Sequence, residues 1–170
     1  MKKYLTVLLI SGVLFGCSAI DPKQSPKVYT NTIEIGTKQG AKSMIVFDYL
    51  NTTAKPEYQH YIVSLFLKDL PEDKQFVTCD SYIAKTDCQS RVAVWQNQLV
   101  QNPETVWVDF NLKMLLDKRK VLGEILPQIK STETRLSLSW GVIENITFKK
   151  VSGKNGNETI DRLDVTAYRL

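Results

Sequence analysis

The sequence predicts an all-β domain, a mainly antiparallel sandwich with one short helix inserted near residues 113–126. Three observations carry this. Apolar and polar residues alternate with period two over several short stretches, the pattern of strands with one buried face. Turn-forming clusters separate those stretches at short intervals. Within Lys113–Lys130 the alternation gives way to Leu115, Leu116, Leu122, Leu126 and Ile129 at near-helical spacing.

Taken in order, the chain opens on Lys2 and Lys3, followed by an uncharged run from Tyr4 to Phe15. That run is too short to cross a bilayer as a helix, which takes about 20 apolar residues. It has the layout of a cleaved signal peptide, assigned to residues 1–16. Ser18 to Lys27 is polar and carries Pro22 and Pro26, a semi-extended tether within residues 17–27. Residues 28–170 then form a single domain.

Val28 to Ile35 is rich in Thr and Ile and begins the strands. Met44–Leu50 and Tyr61–Leu67 are apolar on both faces, as central strands are, and Asn51 to Pro56 supplies the turn between them. Phe76–Ile83 and Arg91–Trp95 flank a pair of cysteines. Thr105–Leu112 alternates cleanly, with Val106, Val108, Phe110 and Leu112 on one face. Arg135–Val142 does the same through Leu136, Leu138, Trp140 and Val142, and Ile146 and Phe148 continue it. The last strand turns Leu163, Val165 and Ala167 inward; the Asn155-Gly156 pair before it predicts a hairpin. The expected helix runs from about Met114 to Ile125, with Asn111 as its N-cap and Pro127 at its end.

Composition narrows the function classes. The chain is 43% hydrophobic, which excludes disorder. Its net charge is +4, and loss of Lys2 and Lys3 with the leader halves it, so no nucleic-acid partner is expected. Cys79 and Cys88 pair economically as a disulfide in an oxidising compartment, closing a loop of about ten residues worth roughly 2–3 kcal/mol. The only histidine is His60, at the start of a strand, and no nucleophile motif, zinc signature or phosphate loop accompanies it. No catalytic residue, no metal and no cofactor is therefore expected. Asp80 and Asp87 within the cysteine loop lack a calcium-loop spacing. Lys118, Arg119 and Lys120 give the expected helix a basic end suited to anionic headgroups, or simply a solvated face. Trp95, Trp107 and Tyr49 are the candidate partner-binding residues, because exposed aromatics anchor interfaces; burial under the expected helix is the alternative for Trp107.

Leu14-Phe15-Gly16-Cys17 resembles the lipobox of bacterial lipoproteins, although Phe15 stands where that class more often has a small residue. The resemblance implies cleavage before Cys17, acylation of its sulfur and amino group, and a stable membrane anchor through two or three chains. Ser18, not Asp, follows the cysteine, which implies the outer membrane, with the domain facing the periplasm or the outside. The runs Met44–Asn51 and Tyr61–Asp69 resemble the paired strands of Ig-like modules, so the expected sandwich is Ig-like or transthyretin-like. In arrangement (anchor, tether, small sandwich) the chain looks like the lipoprotein subunit of type VI secretion systems, an analogy of architecture that transfers no residue. The expected function is an accessory or adaptor subunit of an envelope or secretion assembly, with an envelope protein as partner. The alternatives are a lipoprotein binding a small molecule, a glycan or a hydrolase, and, disfavoured, a carboxylate-based hydrolase.

Overall fold

The computed structural model describes residues 29–79, 83, 87–96, 104–152 and 158–170. Cys17, the leader and the tether lie outside the described residues, as do Asp80 and the Asn155-Gly156 turn. The strands are β1 (Thr30–Ile35), β2 (Ser43–Asn51), β3 (His60–Leu67), β4 (Glu72–Val77), β5 (Gln89–Trp95), β6 (Thr105–Val121), β7 (Glu124–Ser139), β8 (Ile143–Ser152) and β9 (Glu158–Arg169). Pro56–Tyr58 forms a single 3-10 turn.

The strands make two sheets, ordered β1-β3-β2-β9-β8 and β4-β5-β6-β7. Every strand pair is antiparallel except β1 with β3. The sheets pack face to face because each has one apolar face. Ile45 and Phe47 of β2, Val63 and Leu65 of β3 and Val165 of β9 meet Val92 and Val94 of β5, Val108 and Phe110 of β6 and Leu138 of β7. Phe47 and Phe110 touch edge to face at 5.0 Å and 70°. The mainly antiparallel sandwich expected from the alternation is thus the fold.

The inserted helix is not. Residues 113–126 belong to a long hairpin of β6 and β7, whose turn is Leu122-Gly123. Two features of the chain imitate a helix here. A register shift between Leu115 and Asp117 puts the two buried neighbours, Met114 and Leu115, side by side. The turn then places Leu116 and Leu126 on different strands, so their spacing reflects no common helical face. Asn111 caps nothing: it sits mid-strand and donates to Glu133 at 3.1 Å.

The sandwich has two distinct ends. At one, β2 finishes at Asn51 and β3 starts at His60. Because β1 runs parallel to β3 with Thr30 level with His60, the chain also enters the domain here. We call this the entry end. At the other, far end lie Ser43, Leu67 and Arg169. β5 pairs with β6 from Arg91 to Trp95, opposite Trp107 to Asn111, so among the described residues the hairpin beyond Leu116 overhangs the entry end with β7 as its only strand partner. At 3.3 Å per residue, the stretch from Leu116 to Val121 extends it by about 17 Å.

Candidate functional site

The Cys79–Cys88 disulfide is formed, with the Cα atoms 5.7 Å apart. Cys88 is fully buried beside Ile83 and Leu115, and the Thr78 hydroxyl donates to its carbonyl oxygen. The bond ties the start of β5 to the end of β4 under the hairpin, with Cys88 buried and Cys79 partly exposed.

Tyr49, an interface candidate on sequence, is 2% exposed and belongs to the core. It sits on β2 with its hydroxyl accepting from Asn51 at 3.0 Å. Burial pushes its phenol well above the usual range; the Asn51 bond opposes this and the nearby Asp161 carboxylate adds to it. It offers no surface to a partner. Around it, Lys130 of β7 pairs with Asp161 of β9 and lies over the rings of Tyr49 and Phe148, at 5.6 and 3.7 Å. One ammonium group therefore spans the two sheets near the entry end.

Trp95 and Trp107 are register partners across β5 and β6. Their neighbours Val94, Val106 and Val108 are fully buried, so period-two geometry turns both indoles to the outer face of the four-stranded sheet, where each is half-buried. The Arg135 guanidinium lies 5.3 Å from the Trp95 ring while holding Asp109 at 2.7 Å. Farther along this face the polar side chains pair across strands: Arg91 with Asp73, Gln89 with Gln75 and Asn111 with Glu133. All but Asp73 line a shallow depression of about 390 Å³. The two indoles and Arg135 thus form an aromatic–cationic patch next to a polar ladder.

A second set of depressions lies at the far end. Trp95, Leu70, Pro71 and Gln96 line one of about 400 Å³. Leu70 and Gln96 also line a neighbour of about 260 Å³, with Trp140, Arg169, Lys42 and Lys68. Arg169 lies 5.2 Å from the Trp140 ring. Sequence reasoning placed Trp140 among inward residues and passed over Arg169; the isolated bridge from Trp140 to Ala167 brings them together.

His60 has partners of catalytic type. Its Nδ1 is 3.0 Å from the Thr30 hydroxyl and its Nε2 is 2.8 Å from Asp48 Oδ1. All three sit on the outer face of adjacent strands β1, β3 and β2, where register alone makes Thr30 and His60 neighbours. The trio lines none of the depressions described above. Among the described residues no group of His, Cys, Asp and Glu is arranged to hold a metal ion.

The basic run Lys118-Arg119-Lys120 lies on β6 next to the hairpin turn, not on a helix. Behind it, Lys55 pairs with Asp117 at 2.6 Å and Lys118 lies 5.5 Å from the Tyr58 ring, fastening the base of the hairpin to the 3-10 turn. The Lys55 ammonium beside Asp117 holds its carboxyl below the usual carboxylate range, against the opposing effect of burial and with help from Arg119. At the tip Val121, Leu122, Ile125 and Leu126 are all exposed. A Leu-Gly turn inside an apolar stretch is the signal that would have revealed this hairpin. Among the described residues no helix is long and apolar enough to cross a membrane.

No protein-family model, no curated protein and no solved structure matches the chain.

Proposed function

We propose that this protein is a non-enzymatic accessory subunit of a cell-envelope assembly, tethered to the outer membrane through acylated Cys17, that recognises a protein partner through the outer face of its four-stranded sheet. The observation that carries the reading is the Trp95–Trp107 pair with Arg135 over Trp95. Tryptophan and arginine dominate the energetics of protein interfaces, and a rigid sheet presents them without an ordering cost. The lipobox at Cys17 supplies the tether and supports the envelope location. An analogy to the type VI secretion lipoprotein gives one kind of assembly in which such a domain works.

The test is crosslinking in intact membranes, comparing the acylated protein with Cys17→Ser, Trp95→Ala and Trp107→Ala forms. Recovery of one defined set of envelope proteins, lost on Trp95→Ala or Trp107→Ala and reduced on Cys17→Ser, is the expected result. Recovery unchanged by the tryptophan substitutions rules this face out.

A second reading has its own observation. The adjoining far-end depressions, with Trp95, Trp140, Arg169, Lys68 and the Lys42–Asp69 ion pair, suit a small ligand with a flat face and an anionic group placed by Arg169 and Lys68. Native mass spectrometry of the purified protein, showing a retained small molecule that Trp140→Ala releases, would favour this binding function over the adaptor.

A further inference from the structure

The β6–β7 hairpin tip combines two features that folding does not require. Leu122 has φ of 51° and Gly123 φ of 91°, both in the left-handed region that a two-residue hairpin turn demands. Glycine meets that demand freely, whereas leucine is disfavoured there and Asn, Asp or Gly is the usual occupant. The Leu122 side chain is also wholly exposed, at 101%. A residue strained by its backbone and unhidden from water contributes little to the folded domain. Val121, Ile125 and Leu126 extend the apolar surface on both faces of the ribbon.

Cations flank this tip. Lys120 is the register partner of Ile125, and Arg119 that of Leu126. Lys118 lies one step farther back. Glu124, opposite Val121, is the one acidic residue from Lys118 to Leu126. Leu122 leads at the apex; behind it the apolar Ile125 and Leu126 and the basic Lys120 and Arg119 share about 7 Å of ribbon at strand rise, with only Lys118 farther back. An apolar apex with long basic side chains level with and behind it suits an anionic leaflet, because Lys and Arg can reach back to the headgroups while the apolar side chains bury about 5–10 Å.

The position of the hairpin points the same way. The chain enters the domain at Tyr29 and Thr30, and Asn31 donates to the Glu57 carbonyl at 2.8 Å. The same 3-10 turn holds the hairpin base, through the Lys55 amide donating to the Leu116 carbonyl at 3.2 Å. The tether from Cys17 and the hairpin therefore leave the domain at one end. Between Cys17 and Tyr29 lies a stretch of chain that spans at most about 40 Å when extended.

We infer that the hairpin tip is a second membrane contact, inserting Val121, Leu122, Ile125 and Leu126 at the headgroup boundary of an anionic leaflet while Arg119 and Lys120 engage the phosphates. It rests on the reading of Cys17 as a lipid anchor. Anchor and hairpin together hold the entry end against the membrane and turn the far end outward, to the aqueous side.

The experiment has two arms. In the first, the acylated protein carrying Leu122→Cys is labelled with an environment-sensitive nitrobenzoxadiazole probe and reconstituted into phosphatidylcholine vesicles with and without phosphatidylglycerol. A Lys68→Cys form labelled at the far end is the control, and the mass of the N-terminal peptide reports acylation. With phosphatidylglycerol, the probe at position 122 shifts to the blue and is quenched by lipid-borne spin labels, whereas that at position 68 stays aqueous. In the second arm, the mature chain (residues 17–170) with Cys17→Ser is sedimented with the same vesicles. It binds those with phosphatidylglycerol, and Leu122→Asn combined with Val121→Thr lowers the partition coefficient by about tenfold.

Failure of the anchor is seen as a missing acyl mass, and the second arm still reads the hairpin by itself. An acylated protein whose probe at 122 remains aqueous on anionic vesicles overturns the inference. So does a probe that is aqueous on vesicles but is protected and crosslinked to a protein in native membranes, which makes the tip a protein contact.

Discussion

Phe47 of β2 and Phe110 of β6 meet edge to face across the middle of the sandwich, one ring from each sheet. Both are essentially inaccessible, at 0% and 1%. This contact joins strands far apart in the sequence and fixes how the sheets face one another. Phe110→Ala removes the ring and leaves a cavity between two sheets that cannot both collapse, so it should cost about 3–5 kcal/mol. Urea unfolding of the variant, with the slope unchanged and the midpoint lowered, checks this.

The disulfide should carry a separate, smaller share. Replacing Cys79 and Cys88 together by Ser removes the constraint on the unfolded chain and is expected to cost roughly 2–3 kcal/mol. The midpoint of the wild type should fall to that of the double variant on reduction. If reductant leaves the wild-type midpoint unmoved, the loop is not contributing as drawn.

Lys130 and Asp161 form a mostly covered ion pair, with side chains 20% and 17% exposed. Lys130→Ala strands the carboxylate beside Tyr49 and also removes the cation from Phe148, a cost of about 2–3 kcal/mol. Adding Asp161→Leu to Lys130→Met should recover much of that loss, because the uncompensated charge goes too. A double-mutant cycle measured by denaturant unfolding gives the coupling, and strictly additive single effects would show that the pair acts independently.

The hairpin turn predicts an unusual gain. Leu122→Asn keeps a residue suited to the left-handed region and removes an exposed apolar side chain. Stability should stay level or rise by about 0.5–1 kcal/mol. A thermal melt showing a clear loss would mean that Leu122 packs against something in the folded domain.

The hairpin base should respond to acid. The Asp117 carboxyl is held below its usual value in the folded protein. The stabilisation is therefore fully present above the ordinary carboxylate pKa of about 3.9 and is lost as pH falls through the lower folded value. Hydrogen-exchange protection of the Lys55 and Lys118 amides should drop over that window in the wild type. In Asp117→Asn the same amides should be less protected at neutral pH and show no such drop.

Much of the sandwich was legible because its strands obey a local rule. Val106, Val108, Phe110 and Leu112 alternate with polar residues, and Leu163, Val165 and Ala167 do the same, so the inward faces are written in the order of residues along each strand. Pairing of Cys79 with Cys88 followed from counting. Lys113–Lys130 misled because a bulge changes which parity points inward and a turn reverses the chain, and each breaks the local rule from which periodicity is read.

The site was legible only in part, for the same reason. The outward orientation of Trp95 and Trp107 was open in the sequence for want of a known partner strand; their register across β5 and β6 settled it. Tyr49 shared their residue class but not their exposure, since β2 lies at the centre of its sheet. The residues themselves determined the alternation of faces and the cysteine pair, both of which depend on neighbours in the chain. Tertiary structure decided the strand order, the meeting of Trp140 with Arg169, and the placement of the hairpin at the end where the chain enters. Those depend on contacts between residues tens of positions apart. Such contacts are chosen by the packing of whole sheets, which no local pattern encodes.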